Sequence, residues 1–140
     1  MSTRVISVRG RKPAELAADP DFVYVGRAMP RIGWKGSPWG NPFKVHTAKM
    51  SSFDDKMVSV SWFRETSKSL SELEPTAKAV ELHRLWLLSQ PDYLANLYRI
   101  RGKTLGCWCG SWEPGQPEPR CHAVTLAKLA DASLAHAGSN

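Results

Sequence analysis

"RGKTLGCWCGSWEPGQPEPRCHAVTLAKLA", residues 101–130, is the stretch on which the fold turns. Gly102 sets off "GKTLGCWC", a β-rich run that reads as a strand. Leu105, Cys107 and Cys109 share one face of it, and Gly106 and Trp108 share the other. "GSWEPGQPEPR" follows, an eleven-residue turn with three prolines, long enough to reverse the chain. Ala123, Leu126, Ala127, Ala130 and Leu134 then recur at i, i+3, i+4, i+7 and i+11, which predicts an amphipathic helix beginning close to Cys121. A strand, a reversal and a helix packed back on the strand are expected to bring the tip of the one against the opening turn of the other.

Working outward, "TRVISVR" alternates Val5 and Ser7 against Arg4, Ile6 and Val8 and reads as a first strand. "FVYVGRA" is a second, ended by Gly26, with Arg27 at its end facing a cleft. "MPRIGWKGSPWGNPFKV" has no helical period and three prolines, so it is an irregular loop, closing with a short strand at Phe43–Val45. Ser52 and Asp55 approximate a capping box, and Met57, Val60, Phe63 and Leu70 fall on a helical stripe. A second helix starts at Thr76 after Pro75 and ends near Ser89, and a third, short one has Pro91 in its first turn. Strands at both ends of the chain with helices between and after them predict a small α/β or α+β fold, a short sheet covered by three to four helices. One globular domain over residues 1–135 is expected, with a frayed tail at 136–140.

The chain has 140 residues, 42% of them hydrophobic and 23% charged, which is globular rather than disordered composition. No apolar run is long enough to span a bilayer and the N-terminus has no apolar signal core, so a cytoplasmic protein without membrane association is expected. Its three cysteines make an odd count and argue against a disulfide framework. The net charge of +6 is unevenly spread, with nine Lys and Arg but only three Asp and Glu in the first fifty residues. That half is the one expected to meet a phosphate-bearing partner, a nucleotide or nucleic acid.

Cys107, Cys109, Cys121 and His122 are the inventory of a Cys₃His zinc site. Adjacent Cys121 and His122 are awkward co-ligands for one tetrahedral ion, so His83, His46 or a water are alternative fourth ligands. The same residues also suit a reactive thiol: Cys121 at a helix N-terminus, or Cys109, with His122 as base. A third reading makes the thiols small buried hydrophobes and His122 part of a helix cap. "WGNPF" fixes a bend at Asn41–Pro42. Asn41 is then either a donor and acceptor for a base or sugar, or part of a structural turn whose aromatics fill the core. Trp39 and Trp34 are candidate stacking surfaces, and Arg27, Arg31 and Lys35 candidate phosphate contacts.

"VYVGRA", "WGNPF", "RGKTLGCWC" and "CHAVTLAKLA", in that order, resemble the domain-of-unknown-function family 4326, found largely in bacteriophages and bacteria. The resemblance runs from about Phe22 to Leu129. Its recurrent positions fall here on Arg27, on residues Trp39 to Phe43, on Cys107, Trp108 and Cys109, and on Cys121 and His122. The loop from Cys109 to Cys121 is longer than the family's compact turn, and "AVTL" stands where an acidic segment usually follows Cys-His. The phage association implies a setting in nucleotide or nucleic-acid metabolism. No phosphate-loop, dinucleotide, nucleophile-elbow or deaminase signature is present. Two functions of different class follow. One is an enzyme acting on a nucleotide, nucleoside or nucleic-acid base, with a zinc ion or thiolate beside the basic aromatic loop. The other is a non-catalytic nucleic-acid-binding module stabilised by zinc.

Overall fold

The structure is a computed structural model and describes residues 2–43 and 58–137, the last five of these as backbone only. It forms two compact units. The first comprises the chain up to Gly40 and from Ala95 onward; the second comprises residues 41–94.

The first unit is built on three strands, β1 (Arg4–Ser7), β2 (Phe22–Tyr24) and β3 (Thr104–Cys107), in the order β1-β3-β2. Both pairings are parallel, with Val5 and Val23 opposite Leu105 and Ile6 and Tyr24 opposite Gly106. The α/β expectation is therefore met. Parallel neighbours cannot be joined by a tight hairpin. The β1–β2 connection carries the short helix α1 (Pro13–Ala17), and the β2–β3 connection contains the whole second unit.

Strand parity sorts the core. Ile6, Val8, Phe22 and Tyr24 lie on the Gly106 face and pack with Leu16 and Trp34. Gly106 is required here, since a Cβ on it would come within 2.5 Å of the Phe22 ring and 2.9 Å of Val8 Cγ1. Val5, Leu105 and Cys107 project to the opposite face, where the last helix, α5 (His122–Ala137), packs on β1 and β3. Ala123, Leu126, Ala127 and Ala130 are among its buried positions, and the three alanines permit close approach to the sheet. Complete burial of Val5, Leu105 and Leu126 stabilises the unit by about 1.5–3 kcal/mol apiece. A polar tie adds to this: Asp131 on α5 accepts from the backbone N–H and hydroxyl of buried Thr3, whose hydroxyl accepts from Gly102 N–H.

In the second unit, α2 (Val60–Ser69) packs on α3 (Pro75–Leu88), and α4 (Pro91–Ala95) follows. Of the helix expected from Ser52 to about Leu70, the described residues are helical over Val60–Ser69. Val58 and Ser59 are non-helical, and Ser59 is the cap, its hydroxyl accepting from Trp62 N–H at 3.3 Å. A serine hydroxyl one residue before the helix satisfies a free N–H, which a periodicity count alone does not weigh. Ser52, Asp55, Met57, Lys44, Val45, His46 and Lys49 lie outside the described residues. α3 starts at Pro75 under a Glu74 cap and ends at Leu88 with Ser89 as its C-cap, close to expectation. The last helix runs through Ala137, and residues 138–140, in the tail expected to fray, lie outside the described residues. Among the described residues no helix is long and apolar enough to cross a membrane.

Candidate metal centre

β3 stops at Cys107, two residues short of the expected run. Its last ladder bonds run from Val25 N–H to Gly106 O at 3.0 Å and from Val8 N–H to Cys107 O at 2.8 Å. Cys109 therefore lies beyond the strand in the bend that follows, and strand parity does not place its sulfur. The loop then turns back along the outer side of β1. Trp112 exchanges two backbone bonds with Val5, at 2.8 and 2.9 Å, and its buried indole N–H donates to Gln116 O at 3.1 Å. This anchoring returns the chain to Cys121, the residue before α5.

The three sulfurs meet there. Cys107 Sγ and Cys121 Sγ are 3.1 Å apart, and all three Sγ atoms lie within 4.8 Å of one another. Cys107 and Cys121 are buried and Cys109 is exposed, so the group opens to solvent on one side. Among the described residues this is the set of His, Cys, Asp and Glu side chains spaced to hold a metal ion. One ion bound to thiolates at 2.3 Å in tetrahedral geometry sets its sulfurs about 3.8 Å apart, inside the span from 3.1 to 4.8 Å seen here.

The electrostatics of the group would suit a cation. Hydrogen bonds donated by the Cys109 and Cys121 thiols hold Cys107 as a thiolate, bringing its pKa down to about 2 against the opposing effect of burial. Cys109, the first of those donors, is pushed up to about 11 by its bond to Cys107. Cys121 is pushed up as well, by its bonds to Cys107 and Cys109 and by burial. The packed group thus holds one thiolate and two thiols, because three negative sulfurs at this separation repel one another. A divalent ion bound there would take the place of two protons.

His122 is not part of the three-sulfur group. It is buried, and its Nε2 donates to Val25 O at 2.7 Å, tying the start of α5 to the end of β2. His83 belongs to the second unit, fully buried and stacked on Trp86 with ring centroids 6.4 Å apart.

The basic aromatic loop joins this edge of the sheet through Tyr24. The Tyr24 hydroxyl accepts from Trp108 Nε1 at 2.7 Å and donates to Arg27 O at 2.5 Å, and its ring packs on Trp34 with centroids 4.5 Å apart. Burial pushes the phenol up, so it keeps the proton it donates. Gly26 makes room for it, since a Cβ there would lie 2.5 Å from Tyr24 Oη. Arg27, Arg31 and Lys35 are exposed, whereas Trp34 and Trp39 are buried and offer no open face for stacking. Asn41 belongs to the second unit. It is buried, its Nδ2 donates to Ala79 O at 3.2 Å and its Oδ1 accepts from Phe43 N–H at 2.9 Å. The structural-turn reading of "WGNPF" accounts for it.

Sequence reading missed Tyr24 and Arg9. Tyr24 shared a face with Ile6 and Gly106 by strand parity, but nothing local announced its partners. Arg9 donates from Nε to Trp108 O at 2.8 Å, a contact across the sheet that no spacing encodes.

A family model described as "Domain of unknown function (DUF4326)" matches residues 8–132. No curated protein and no solved structure matches the chain.

Proposed function

The chain belongs to the DUF4326 family, and from that footing we propose that it holds one zinc ion through Cys107, Cys109 and Cys121 and acts on a nucleotide, nucleoside or nucleic-acid base at that site. The observation that carries this reading is the meeting of three sulfurs, one of them open to solvent, at the carboxyl ends of a parallel sheet. Ligands of open α/β sheets bind at that edge. Thiolates favour soft and borderline metals, and a span below 4.8 Å suits a single ion.

Zinc bound there would act as a Lewis acid toward a ligand atom in the fourth position. The chain's own residues do the rest. Exposed Cys109 leaves one side of the group accessible, Tyr24 and Trp108 brace the neighbouring turn, and Arg27, Arg31 and Lys35 supply positive charge for phosphate. Neither Asn41 nor His122 is needed as a ligand contact.

A second reading makes the zinc purely structural in a nucleic-acid-binding module, since Cys107 and Cys121 tie the end of β3 to the start of α5. Elemental analysis should find about one zinc per chain, and X-ray absorption then separates the readings. Three sulfurs and one light atom exchangeable with solvent support the first, and a closed set of four protein ligands supports the second. Folded protein without metal overturns both. Binding of mononucleotides and single-stranded oligonucleotides should weaken steeply with salt, and no binding at low salt would remove the nucleotide assignment.

A further inference from the structure

The three thiolates and a divalent ion would together carry a net charge of −1, from +2 and −3. Such a centre does not attract an anionic ligand by itself, so a phosphate-bearing molecule needs a fixed cation beside the open sulfur. Among the described residues Arg9 is placed beside the cysteine turn for that role. Arg9 leaves the carboxyl end of β1 in a turn closed by the Arg11 N–H to Val8 O bond of 3.0 Å, in which Gly10 takes φ +75°. This left-handed value is open to glycine at little cost. Arg9 Nε is anchored on Trp108 O at 2.8 Å, one residue from both Cys107 and Cys109. Among the described residues its two Nη groups have no protein partner. The side chain is exposed. Exposed Arg11 and Lys12 follow directly on Gly10.

We infer that Arg9 is the anion-recognising residue of this centre and that the ligand bound there carries a phosphoryl group. A guanidinium held by Nε presents its Nη pair as a preformed fork for two oxygens. Three cations within four residues favour the higher charge of phosphate over a carboxylate. The inference rests on the metal reading above and names the substrate class that the reading leaves open.

Calorimetric titration of the zinc-loaded chain with inorganic phosphate, and separately with acetate at matched ionic strength, tests it, alongside Arg9→Gln and Arg9→Lys. Phosphate should bind the wild-type chain more tightly than acetate does. Arg9→Gln should weaken phosphate by about tenfold or more, and Arg9→Lys should recover only part of that because it keeps the charge without the fork. The thiolate-to-cobalt absorption of the cobalt-substituted chain reports the centre itself. A normal band with phosphate affinity indifferent to Arg9, or with acetate binding as tightly as phosphate, overturns this inference and leaves the metal reading standing. No band in the wild-type chain overturns both. If Arg9→Gln loses the band, Arg9→Lys carries the comparison.

Discussion

The carboxyl edge of the sheet and the Asn41 turn of the second unit both bury polar or polarisable groups, and they settle them in opposite ways. At Asn41 the amide nitrogen and oxygen close on backbone groups of the same unit, Ala79 O and Phe43 N–H. At the sheet edge three sulfurs face one another, and their mutual bonds accommodate only one negative charge. A buried group answered by its own backbone is part of the fold. A partly buried cluster of like groups that could take up an external cation is a candidate site, and the contrast can be tested from both ends.

Removing a buried sulfur should have the largest effect. Cys107→Ser and Cys121→Ser should each abolish stoichiometric metal in purified protein, measured by elemental analysis, whereas Asn41→Ala should leave metal content unchanged. Metal retained in either serine variant would erase the distinction between the two regions. Acidity comes next. Cys107 is already ionised at neutral pH, with a pKa of about 2, whereas Cys109, at about 11, and Cys121, also raised, must each release a proton to bind a metal. Metal affinity should therefore rise with pH, by about a hundredfold per unit between roughly pH 6 and 8. Calorimetry in buffers of different ionisation enthalpy should count about two protons released per ion.

Asn41→Ala should act on stability alone. It leaves the buried Phe43 N–H without its acceptor, a loss of about 2 kcal/mol readable in urea unfolding. A change in nucleotide or phosphate binding at unchanged stability would move Asn41 back among the ligand contacts. Gly26→Ala should have the smallest effect, about 1 kcal/mol, since the new Cβ forces the Tyr24 hydroxyl to shift. Its signature should be altered fluorescence from Trp108, the indole that donates to that hydroxyl.

The elements were legible where a short-range rule governs them. Alternation in "TRVISVR" sorted Ile6 and Val8 from Val5, and the i, i+3, i+4 series located α5. The helix predicted from Ser52 shows the limit, because stripe residues continue across Val58 and Ser59 while the Ser59 hydroxyl sets the helix start. Parity likewise carried Cys109 along a strand that ends at Cys107. Trp34 and Trp39 read as stacking surfaces because an irregular loop gives no sign of which indole turns inward, and both are buried.

By itself the sequence determined the α/β class, the positions of most elements, and the placing of Cys107 on the last strand and Cys121 at the start of the last helix. Backbone periodicity and turn chemistry act over a few residues and are written in local order. Tertiary structure alone decided that all three sulfurs converge while His122 turns to Val25. It also decided that Asn41 is closed off and that Arg9 reaches Trp108. Those outcomes depend on contacts between residues up to about a hundred positions apart, whose geometry is set by how the sheet, the anchored Trp112 loop and α5 pack, and no local pattern carries that information.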